Sequence, residues 1–85
     1  IDSKILLRKV MTMLREAGYE LGNCDCTICA ETPKLNPHIP AMTRCLAEVM
    51  GVSESQISIK ATTTEKLGFV GKKEGIAAHA VVLIN

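Results

Sequence analysis

Apolar residues recur at Ile5, Leu6, Val10, Met13, Leu14 and Ala17, a spacing that predicts an amphipathic helix in the opening IDSKILLRKVMTMLREAGYE. Asp2 or Ser3 can cap its first amides, and Gly18 can close it in a left-handed conformation. From Tyr19 to Glu31 the period drops to two, as in a strand. Cys24, Cys26, Ile28 and Ala30 share one face, while Asp25, Thr27 and Cys29 occupy a more polar one. Pro33 and Pro37 forbid a helix before about Asn36 and suit the first helical turn after it. Ile39, Met42, Leu46 and Val49 then form a helical stripe, ended by Gly51, and SESQ at Ser53 to Gln56 fits a capping box on one short turn. ISIKAT alternates again, with Ile57, Ile59 and Ala61 on one side and Ser58, Lys60 and Thr62 on the other. Beyond a glycine-rich stretch, Ile76 to Ile84 is apolar on both faces, which predicts a central or interface strand.

The element order is therefore α-β-α-β-loop-β. An α/β (α+β) fold follows, a small mixed β-sheet with helices on one face. Eighty-five residues suffice for one domain, and a chain of that size buries only roughly 60% of its unfolded surface. With 47% apolar residues but one Tyr, one Phe and no Trp, the chain is rich in aliphatic surface and poor in side chains that fill a core. That balance points to burial against partner subunits. Net charge is +1 with no run of like sign, so no field for coating nucleic acid or a membrane surface is built in. IAAHAVVLI is too short to span a bilayer and no signal-peptide pattern opens the chain, so a soluble, unexported protein is expected.

Three of the four cysteines lie in NCDCTICAE, the first predicted strand. Alternation sends Cys26 and Cys29 to opposite faces, so the apparent C-x-x-C cannot converge on one metal or one disulfide. Cys24 and Cys26 share a face but sit one strand period apart, a poor disulfide geometry. All four cysteines are expected to be buried reduced thiols in a reducing compartment. Neither His38 nor His79 has a partner at ligand spacing. His38 reads as a solvated or capping residue, and His79 as a neutral core or interface histidine.

Candidate chemistry concentrates in KATTTEKLGFVGKKEG. Thr62, Thr63 and Thr64 bring three hydroxyls and backbone amides to a strand end, a cradle suited to phosphate. Glu65 adds a hard oxygen of the kind Mg²⁺ selects, and Lys66, Lys72 and Lys73 add positive charge. The competing reading is a solvated turn after a threonine-rich strand. GFVGK fails the Walker A spacing, whereas Gly68 to Gly71 match the G-x-x-G of KH-like RNA-binding modules, where the loop joins two helices. In AETPKLNPH, a strand end leads into proline-stiffened backbone that can read a base edge through its own N–H and C=O groups, or can simply connect.

Together, DSKILLRKV, LREAGYELGNCDCTICAETPKLNPHIPAM and IKATTTEKLGFVGKKEGIAAHAVVL resemble the C-terminal part of the 2-C-methyl-D-erythritol 2,4-cyclodiphosphate synthase family of the non-mevalonate isoprenoid pathway. The resemblance implies a homotrimeric lyase acting on a cytidine diphosphate substrate, without nucleic acid or membrane partners, in a bacterial cytoplasm or plastid-type stroma. It implies a cytidine pocket from Ala30, Glu31, Thr32, Pro33, Lys34, Leu35 and Asn36. Thr62, Thr63, Thr64 and Glu65 would hold the phosphates, with Thr63 catalytic and Glu65 binding Mg²⁺ or Mn²⁺. Phe69 and Lys72 would line the substrate or the neighbouring subunit; Lys72 stands where the family commonly has Arg and lacks its bidentate fork. The family's Zn²⁺ ligands match no residue of this chain. Residues 1–85 are thus expected to be one segment of a larger synthase domain, inactive without the N-terminal zinc-binding part. Two further readings are an RNA-binding module built on Gly68 to Gly71 and a noncatalytic oligomerisation fragment.

Overall fold

A computed structural model describes residues 2–30, 34–62 and 75–85. Helix α1 (Ser3–Glu16) precedes strand β1 (Leu21–Ala30); a 3-10 turn (Asn36–His38) leads into helix α2 (Ile39–Met50). A second 3-10 turn (Glu54–Gln56) feeds strand β2 (Ile57–Thr62), and strand β3 (Ile76–Ile84) follows. The sheet order is β2-β1-β3, with β1 parallel to β2 and antiparallel to β3. The mixed sheet and the predicted element order are both found. Among the described strands, however, β3 lies at an edge and β1 is central, so the both-faces-apolar character of β3 does not arise from a central position.

Both helices cover one face of the sheet. On β1 and β2 that face carries Cys24, Cys26 and Ile28 beside Ile57, Ile59 and Ala61. Met11, Ala47 and Met50 descend onto it from the helices and are buried with Leu21. In α1 the buried side runs through Leu7, Met11 and Leu14, whereas Ile5, Leu6, Val10 and Met13 are exposed. The apolar arc of α1 is wider than its contact with the sheet: of the predicted stripe only Leu14 turns inward, and Leu7 and Met11, outside that stripe, take the covered side. In α2, Ile39, Met42 and Leu46 pack at the margin of the core, and the buried positions are Ala47 and Met50.

Both helices end as the sequence predicts. Gly18 (φ +88°) and Gly51 (φ +68°) take left-handed backbone. The next amides, of Tyr19 and Val52, donate to Leu14 O at 3.1 Å and Ala47 O at 3.0 Å, the six-to-one bond of a Schellman ending. At the other end of α1, the Asp2 side chain accepts from the Lys4 amide at 2.8 Å. Arg15 ties the helices together, its Nη2 donating to Met50 O at 2.8 Å. In the SESQ turn, the Ser53 amide donates to Gln56 Oε1 at 3.0 Å. Gln56 Nε2 then donates to Leu21 O at 2.9 Å and Gly22 O at 3.2 Å, which fixes the start of β2 against the start of β1. Strand β1 begins at Leu21 rather than Tyr19; Glu20 meets Asn85 by reciprocal backbone bonds of 2.8 and 3.0 Å. No helix among the described residues is long and apolar enough to cross a membrane.

Candidate functional site

Because β1 and β2 are parallel, their carboxyl ends lie at one edge of the sheet. The register places Cys29 beside Thr62, so the chain leaves both strands at adjacent points. The antiparallel neighbour enters at the same edge, with Ile76 opposite Ala30. Three strand ends, Ala30, Thr62 and Ile76, therefore lie together at this edge. In open α/β sheets ligands occupy the crevice outside the carboxyl ends of the strands. The strand ends from which the two stretches singled out by sequence continue, far apart in the chain, are thus neighbours through strand pairing alone.

Of the predicted cytidine-pocket residues, Ala30 is buried at the last position of β1, Lys34 is exposed, Leu35 is half-buried, and Asn36 opens the 3-10 turn. The His38 amide donates to Leu35 O at 2.8 Å, which folds LNPH into a compact turn before α2. Pro37 and Pro40 occupy first-turn positions in successive helical segments, where a missing amide costs nothing. This sets the entry into α2, the helix that leads on to β2. Glu31, Thr32 and Pro33 lie outside the described residues. On the other side of the site, Thr62 is exposed at the end of β2, whereas Thr63, Thr64, Glu65, Phe69 and Lys72 lie outside the described residues, as do Gly68 to Gly71.

The face turned away from the helices carries Asp25, Thr27 and Cys29 of β1 beside Ser58, Lys60 and Thr62 of β2. Lys60 Nζ bonds Asp25 Oδ2 at 3.1 Å across the two strands. On β3 the same face presents His79, opposite Thr27, flanked by exposed Val81 and Leu83. His79 is itself exposed, which excludes the core position of the core-or-interface reading. His38 is exposed and its side chain makes no capping bond. Among the described residues no cluster of three or more His, Cys, Asp or Glu could hold a metal ion.

Alternation in β1 also separates the cysteines as expected, Cys24 and Cys26 toward the helices and Cys29 away. All four thiols are free, but only Cys24 is buried; Cys26 and Cys29 are half-buried and Cys45 is exposed on α2, which corrects the expectation of burial for it. Burial pushes the Cys24 thiol up to about 11, reinforced by its bond to Cys26. Spacing did not foretell how near these two thiols are, with Sγ atoms 3.6 Å apart, nor that both line an apolar cavity of about 400 Å³ between α1 and β3. The width of the apolar arc on α1 was the available signal for that cavity.

The YgbB family profile matches residues 1–85. A 2-C-methyl-D-erythritol 2,4-cyclodiphosphate synthase from Parabacteroides distasonis is 73% identical over the full 85 residues, which cover 53% of that protein. The crystal structure of a synthase of the same name from Plasmodium vivax superimposes with a TM-score of 0.96 at 36% identity, over 99% of this chain and 56% of the other. A Plasmodium falciparum IspF structure described as a CDP complex gives a TM-score of 0.94 at 34% identity, over 98% of this chain and 53% of the other. The chain spans about half the length of the curated relatives it matches.

Proposed function

This chain belongs to the YgbB family, and on that premise we propose that it carries the cytidine and phosphate side of a 2-C-methyl-D-erythritol 2,4-cyclodiphosphate synthase. The reaction is an intramolecular phosphoryl transfer. The 2-phosphate oxygen of 4-diphosphocytidyl-2-C-methyl-D-erythritol 2-phosphate attacks the β-phosphorus, and the bond from that phosphorus to the CMP oxygen breaks. The products are the cyclic diphosphate and CMP. Positioning and charge stabilisation carry most of the work in such transfers.

The single observation that carries the reading is the adjacency at one sheet edge of the ends of β1 and β2, Ala30 and Thr62. A nucleoside diphosphate needs a base pocket and an anion cradle within one ligand's reach, and the parallel pairing supplies that proximity. In this assignment, residues 30–36 hold the cytosine through backbone groups and the stem of Lys34. Thr62, Thr63 and Thr64 hold the phosphates, with Thr63 donating to charge that develops in the transition state. Phe69 and Lys72 line the substrate or the adjoining subunit. Metal ions would neutralise the diphosphate; Mg²⁺ or Mn²⁺ is assigned to Glu65, and Zn²⁺ to ligands outside residues 1–85, in the N-terminal part of the domain.

A homotrimer is the proposed assembly. Support comes from β3, where Ile76, Val81 and Leu83 are 56%, 69% and 63% exposed, an apolar strand surface that isolated chains rarely leave in water. The G-x-x-G RNA-binding alternative fares worse, since the described elements flanking that stretch are strands β2 and β3 and the relatives are synthases. The test is CDP binding by calorimetry to the intact protein with and without Mg²⁺. Glu65→Ala should weaken binding and abolish its Mg²⁺ dependence, and unchanged affinity with unchanged Mg²⁺ dependence would sink the assignment. Salt-steep binding of single-stranded RNA without CDP binding would instead favour the RNA module.

A further inference from the structure

We draw no further inference here: the strongest candidate, the face of strand β3 turned away from the helices, where His79 stands exposed beside Val81 and Leu83, is an unpartnered apolar surface, and nothing in the structure shows what covers it.

Discussion

Replacing Gly51 by alanine tests the link from local conformation to helix packing. Gly51 ends α2 at φ +68°, where an L-residue costs roughly 1–2 kcal/mol. Loss of glycine's freedom in the unfolded chain returns about 0.4–1 kcal/mol, so a net destabilisation of about 1 kcal/mol is expected. The new Cβ would lie 3.4 Å from Arg15 Nη2, an ordinary contact with the end of a flexible side chain. No steric addition is therefore expected. Gly18, at φ +88° with nothing within 4 Å of where a Cβ would lie, is the matched control and should cost about the same. In thermal unfolding by circular dichroism each change should lower Tm by roughly 4–8 °C, the shift per kcal/mol for a domain of this size. Arg15→Ala should separately cost about 1 kcal/mol by leaving Met50 O without its donor. Combined with Gly51→Ala it should be additive to within about 0.5 kcal/mol. A neutral or stabilising Gly51→Ala would refute the left-handed ending. A larger coupling would show that Arg15 cannot yield.

Met11→Ala removes the least exposed side chain of the core, at 3% exposure, and should cost about 2–5 kcal/mol in urea unfolding; less than 1 kcal/mol would place Met11 outside the core. Gln56→Ala removes both bonds to Leu21 O and Gly22 O and should cost about 1–2 kcal/mol, with faster amide exchange at the start of β1 and β2 and little change at Ala30. The Cys24 thiol, with a folded value of about 11 against an ordinary 9.0, binds its proton more tightly in the native state. Its contribution is complete below pH 9 and is lost as pH rises through 11, to at most about 2–3 kcal/mol. Wild type should therefore lose stability relative to Cys24→Ala across that window, and parallel curves would contradict the assignment.

Much of this architecture was legible because the local signals agree. Alternation in NCDCTICA and ISIKAT sets the faces of β1 and β2, and Gly18, Gly51 and the SESQ turn set the ends of their neighbours. What periodicity could not supply was the rotation of α1, because its apolar arc includes Leu6 and Val10 as well as Leu7 and Met11, and only packing selects between those flanks. The edge position of β3 escaped for a similar reason: an aliphatic strand reads alike whether sheet neighbours or other surfaces cover it. Within the site, the chemistry of Thr62 is visible in its residue type, but its place beside the end of β1 depends on the parallel pairing of β1 with β2, a long-range contact that no local pattern encodes. The nearness of Cys24 to Cys26 depends on side-chain rotamers, which strand spacing leaves open.

The central claim is that the carboxyl edge of the β1–β2 pair binds a cytidine diphosphate. Amide chemical shifts of the intact protein, followed as CDP and Mg²⁺ are added, test it most directly. The largest changes should fall at Ala30, at Lys34 to Asn36 and at Thr62, with Leu21, Gln56 and Asn85 at the opposite edge unmoved. Saturable binding with shifts centred on that opposite edge, or on the face of Asp25 and Lys60, would contradict it, as would no shift at all.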